Sequence, residues 1–182
     1  MNRDTVIKEV AKREEVKYEL IDAIVYELGL VDDDIEGISI NGSVLKINSM
    51  EFLLTKDYDE AVELAVESML VFVKEFYDSG NVFSEFITNE FICIIGENID
   101  LSEYAIVGYE EEDEEYIPSD IWELVEEHGH DKLSLIKTNA TDGDFKEISG
   151  CIVRIDGVGM TLATYDHDEI ELHNGYWMFR TD

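Results

Sequence analysis

Between Asp4 and Leu28, apolar residues fall at Val6, Ile7, Val10, Leu20, Ile21, Ile24, Val25 and Leu28. Intervals of three and four predict one amphipathic helix over 4–28, closed by Gly29. Asp32-Asp33-Asp34 then reads as a loop. Ile38-Ser39-Ile40 and Val44-Leu45-Lys46-Ile47 flank Asn41-Gly42, the dipeptide of a tight hairpin, and Glu51–Leu54 reads as a third strand. Asp57-Tyr58-Asp59-Glu60 opens a helix running to about Phe76, with Ala61, Leu64, Ala65, Met69, Phe72, Val73 and Phe76 on its inner face. Asp78-Ser79-Gly80-Asn81 breaks it.

A second apolar helix is predicted from Val82 to Ile95, bounded by Gly96. A shorter one is predicted from Tyr116 to Glu127, with Pro118 in its first turn, Ser119 as cap, and Ile121, Trp122, Leu124 and Val125 facing inward. The stretch 145–155 fits both a helical period and a two-residue alternation, and the helical reading is preferred. Thr161–Tyr165 and Tyr176–Arg180 read as strands separated by the turn residues Asn174-Gly175. The expected fold is α+β: a mostly helical single domain with a small antiparallel N-terminal hairpin or sheet, a C-terminal β-hairpin and an acidic linker over 109–116.

Composition narrows the functional classes. The 182 residues carry 13 Lys+Arg against 44 Asp+Glu, a formal charge of −31, yet 45% are hydrophobic. Disordered acidic chains lack that apolar share, so a packed core is expected. Direct binding to a nucleic-acid backbone or an anionic membrane is excluded, because both require clustered Lys and Arg. No secretory signal or long apolar span occurs, and the two cysteines, Cys93 and Cys151, sit in apolar runs as free buried thiols. The reading is a cytoplasmic protein.

Catalytic patterns are sparse. His128, His130, His167 and His173 lack the spacing of a zinc site and read as loop residues. Asp32-x-Asp34-x-Glu36-Gly37 begins like a calcium loop but places Ser43 where a bidentate Glu is required. No nucleophile elbow or phosphate loop occurs. The expectation is a non-enzyme without cofactor or resident metal.

At the C-terminus, Asp156-Gly157-Val158-Gly159-Met160-Thr161-Leu162-Ala163-Thr164-Tyr165-Asp166-His167-Asp168-Glu169, followed by Tyr176-Trp177-Met178-Phe179-Arg180, resembles a motif of uncharacterised tailed-bacteriophage proteins. Glu51–Thr55 leading into Asp59-Glu60-Ala61 resembles the same family's strand-to-helix entry. Val158, Met160 and His167 stand where that family has Arg, His and Gly. The resemblance implies a viral protein in a host cytoplasm and carries no activity with it. Asp156, Gly157, Gly159, Tyr165, Asp166 and Arg180 are read as a structural turn and hairpin, with Arg180 forked onto Asp156 or Asp166.

The charge is unevenly placed. Residues 19–131 hold 31 Asp/Glu and only Lys46, Lys56 and Lys74, whereas residues 1–18 hold five basic and four acidic side chains. Dense carboxylates on a folded body can imitate the phosphates of duplex DNA, which carries one charge per ~1.7 Å of axis. The leading expectation is therefore a DNA mimic that inhibits a host nucleic-acid-binding defence enzyme by filling its basic groove. Its contact residues would be Asp32, Asp33, Asp34, Glu110, Glu111, Glu112, Asp113, Glu114, Glu115, Glu123, Glu126 and Glu127. One alternative is a phage interaction or structural protein that binds through an apolar surface, its acidity serving solubility. Another is a metal-assisted hydrolase or small-ligand binder using Asp156, Asp166, His167 and Asp168.

Overall fold

The computed structural model describes residues 2–107 and 115–182. In it the single helix predicted over 4–28 is two, α1 (Arg3–Arg13) and α2 (Tyr18–Glu27). Glu15, at φ 56°, takes the left-handed conformation that ends a helix, and the Val16 amide reaches back 3.0 Å to the Ala11 carbonyl. Its neighbours supply the reason for the break. Arg13 donates to the carbonyls of Glu36 (3.1 Å) and Ile38, while Glu14 accepts the Ile40 amide at 2.8 Å. This pair leaves the helix to bind another segment, a tertiary demand that periodicity does not contain.

The chain continues through α3 (Asp32–Glu36), β1 (Ile38–Asn41), β2 (Val44–Ile47), β3 (Met50–Thr55), α4 (Tyr58–Asp78) and α5 (Glu85–Gly96). A 3₁₀ turn (Leu101–Tyr104) leads to β4 (Ile106–Val107), β5 (Glu115–Tyr116), α6 (Ile121–Glu126) and α7 (Lys132–Asn139). Last come α8 (Asp142–Asp156), α9 (Val158–Leu162), β6 (Glu169–Glu171) and β7 (Trp177–Arg180). The fold is α+β and mostly helical. Two compact units are distinguishable, Met1–Ser68 with Val153–Asp182, and Met69–Ile152. Among the described residues no helix is long and apolar enough to cross a membrane.

The first unit is built on an antiparallel sheet in the order β1-β2-β3-β7-β6. The Asn41-Gly42 hairpin forms as read, with Gly42 at φ 60°. Alternation places Ile38, Leu45, Ile47, Phe52, Leu54 and Met178 on one face, buried with Val6, Val10, Ile21, Ile24 and Ile35 from the helices. Phe179, on the β7 residue next to Met178, is also fully buried, so β7 is covered on both faces at its centre. Asp32–Asp34 form the first turn of α3 rather than a loop. Acids favour a helix N-terminus, and Asp34 additionally accepts from Asn48 Nδ2 at 2.9 Å.

The C-terminal hairpin pairs β7 with Glu169–Glu171, not with Thr161–Tyr165, which is helix α9 and the turn after it. Gly157, at φ 94°, turns the chain, and the Gly159 amide donates to Glu169 Oε1 at 2.6 Å. Glu169 Oε2 accepts from Tyr58 OH at 2.9 Å, so one carboxylate pins α9 and the start of α4. Arg180 pairs with Asp182 at 3.7 Å and lies 3.7 Å from the Tyr165 ring centre, in place of the expected fork onto Asp156 or Asp166.

The second unit packs Val73, Phe83, Phe91, Ile92, Ile95, Leu124, Leu135, Ile136 and Ile148 into its own core. Rings of Phe76, Phe83, Phe91 and Phe145 follow one another at 5.1–6.1 Å. The ambiguous 145–155 stretch is helical. Thr141 and Asp144 close a reciprocal cap at its start, with the Thr141 amide and hydroxyl each 2.7 Å from Asp144 Oδ2. Helix α5 begins at Glu85 rather than Val82, because Ser84 caps it by accepting from the Ile87 amide. Its period turns Cys93 outward while Phe91, Ile92 and Ile95 face in, so that thiol is exposed, and Cys151 is half-buried. Phe72, expected on the inner face of α4, is exposed as well. Tyr116 belongs to β5, Asp120 rather than Ser119 caps α6, and the linker read over 109–116 is described only at its last two residues, as strand.

Two glycines test this packing in opposite directions. A Cβ at Gly159 would collide with the His167 carbonyl and sit 2.8 Å from Glu169 Cγ, whereas Gly150, inside α8, meets nothing within 4 Å. Urea denaturation should show Gly159→Ala losing about 1–3 kcal/mol. Gly150→Ala should gain about 0.5–1 kcal/mol.

Candidate functional site

From residue 75 to 131 the chain contains eighteen Asp/Glu and no Lys or Arg. Glu110–Glu114 lie outside the described residues, as does the side chain of Glu115. Of the twelve other carboxylates in this stretch, ten are exposed and Glu90 and Glu123 are half-buried. The ion pairs among the described residues are Lys8–Asp4, Arg13–Glu14, Lys46–Glu51, Lys74–Asp142 and Arg180–Asp182. None of these pairs uses a described carboxylate between 75 and 131.

The described centre of the stretch is the entry to α6. Asp120 Oδ1 accepts the Glu123 amide at 2.9 Å, and Glu123 reaches back to accept the Ser119 amide (2.7 Å) and hydroxyl (2.8 Å). The Tyr116 phenol also donates to Glu123. That phenol, followed by the two Ser119 donors, pulls the Glu123 carboxyl down to about 2. The group is ionised and fixed in orientation.

One helical turn later lie Glu127 and His128, and the ligand atoms of Glu123, Glu127 and His128 come within 4.8 Å of one another. A shallow concavity of about 390 Å³ opens beside them, lined by Tyr116, Asp120, Trp122 and Glu126. Two carboxylates and an imidazole offer a mixed oxygen and nitrogen donor set for a divalent cation such as Zn²⁺ or Mn²⁺. The sequence signal was the i, i+4 pair Glu123/Glu127 with His128 directly after it, which reading His128 as a loop residue passes over. Among the described residues, Asp156, Asp166, His167 and Asp168 form no such convergent group.

Other candidate residues do different work. Asp32, Asp33 and Asp34 belong to the first unit and serve α3, while Glu123, Glu126 and Glu127 belong to the second. Asp166 Oδ1 accepts the Asp168 amide at 3.1 Å, bracing the turn at His167, whose φ is 65°. A concavity of about 670 Å³ in the first unit is lined by Glu15, Glu19, Lys17 and Lys56, whose charges cancel. No family model, curated protein or solved structure matches the chain.

The Glu123 network carries a pH signature. Folding lowers that carboxyl below its ordinary value of 4.5, so its stabilisation is fully present above that pH and is lost as pH falls towards 2. Glu123→Gln should lower the urea midpoint at neutral pH, and its deficit should close as titrations are repeated from about pH 4.5 down to about 2.5.

Proposed function

We propose that this protein is a phage-type acidic inhibitor that acts in the host cytoplasm by occupying the basic groove of a nucleic-acid-binding defence enzyme, such as a restriction or CRISPR effector. The reading rests on one observation: eighteen carboxylates between residues 75 and 131 without a Lys or Arg among them, ten of the twelve described side chains exposed. A groove shaped for DNA gains by exchanging its small counter-anions for such a body, and opposite potentials accelerate the encounter. The Glu123 network holds its carboxylate in place, which lowers the ordering cost of docking. Glu126 and Glu127 extend the same acidic end of α6, and Glu110–Glu115 add the densest charge in the chain. The protein's own role in this scheme is non-enzymatic.

The test is capture of host proteins on the immobilised full chain at rising salt, followed by an assay of each captured protein for loss of DNA binding. The expected partner binds DNA, releases it in the presence of this protein, and dissociates as salt rises. Joint replacement of Glu110–Glu115, Glu126 and Glu127 by the neutral amides should weaken capture by about tenfold or more, roughly 1.4 kcal/mol. A set of partners that includes no nucleic-acid-binding protein would exclude the proposal.

A further inference from the structure

The second unit also carries an apolar surface that its core does not use. Val71 and Phe72 on α4 are each 58% exposed, Val82 before α5 is 65% exposed, and Phe86 in the first turn of α5 is 54% exposed. Single exposed apolar residues are ordinary, but these lie at the two ends of one series of rings. The Phe72 ring lies 5.9 Å from Phe76, and Phe76 stacks at 5.1 Å on Phe83, which stands between Val82 and Phe86 in the chain. The support is rigid: α4 is a 21-residue helix, and Ser84 caps α5.

The rim of this surface is acidic. Glu75, Asp78 and Glu85, its neighbours along the chain, are exposed; Lys74 is held by Asp142 at 2.6 Å, and Lys137 shares a concavity with Asp78. We infer that this face is a docking surface for a basic amphipathic helix of a partner protein. The occupant's apolar stripe would cover Phe72, Val82 and Phe86, and its flanking Lys or Arg would meet Glu75, Asp78 and Glu85.

Charge complementarity selects that occupant. A second copy would set a body of charge −31 against another and bring a matching acidic rim to this one. An uncharged apolar helix would desolvate the rim carboxylates without pairing them. Only a helix that is apolar along one face and cationic along its edges satisfies both parts of the surface. The inference goes beyond the proposed function, since it needs neither a nucleic-acid groove nor Glu110–Glu115, and either can fail without the other.

The probe is a synthetic 18-residue Leu/Lys peptide patterned as an amphipathic helix, compared by calorimetry with a Ser/Lys peptide of equal charge. The full chain should bind the Leu/Lys peptide at least tenfold more tightly, and the preference should persist at high salt. Phe72→Ser with Phe86→Ser should abolish the preference while circular dichroism stays unchanged. Asp78→Asn with Glu85→Gln should weaken binding of both peptides. Equal affinity for the two peptides, or a preference that survives both Phe replacements, would overturn the inference. So would self-association in sedimentation that disappears with those replacements, because the face would then belong to a second copy.

Discussion

Like-charge repulsion is the condition every part of this fold must meet. A formal charge of −31 on 182 residues opposes compaction, and the five ion pairs among the described residues relieve little of it. What holds the chain together is apolar burial in two places. One is the sheet of the first unit, closed by Ile21, Ile24, Ile35 and Phe52; the other is the aromatic core around Phe83, Phe91 and Phe145. Carboxylates that do enter structure are employed locally. Asp144 caps a helix, Glu169 ties α9 to Tyr58, and Glu14 receives a strand amide. Most other described carboxylates are exposed, where water and salt screen them. The acidic exterior and the apolar interior are two answers to one constraint.

Elements whose cause is local were legible in the sequence. The Asn41-Gly42 hairpin, the third strand and the body of α4 follow from alternation, turn chemistry and period, whereas 145–155 fitted two periods and is helix. Those decided by distant partners were not. The break between α1 and α2 depends on Arg13 and Glu14 bonding to residues more than twenty positions away. Thr161–Tyr165 has the composition of a strand, but Glu169 seizes the Gly159 amide and holds the segment as a helical turn. Phe72 was misplaced because Val71, Phe72 and Val73 are consecutive, and an unbroken apolar run does not say which member faces inward.

The candidate site was legible as charge and hidden as geometry. Counting alone isolates 75–131 as a region without cations. It does not show that Tyr116, Ser119 and Asp120 organise Glu123, because a phenol seven residues before Glu123, outside the helix, leaves no pattern to detect. Nor does it distinguish Asp32–Asp34, which complete a helix start, from Glu126 and Glu127, which line the concavity beside α6. Carboxylates with a structural duty and carboxylates without one look identical in a composition.

Strand β7 has a consequence for how the molecule is made. Residues 177–180 lie between β3 and β6, with Met178 and Phe179 wholly enclosed, yet they are synthesised more than a hundred residues after β1, β2 and β3. During translation the first three strands must wait with an open inner edge, while Met69–Ile152, continuous in the chain, can already condense. A ribosome that stops short of β7 therefore releases a half-finished sheet, exposed along its most apolar seam. The heavy negative charge of such a chain opposes its pairing with another along that edge.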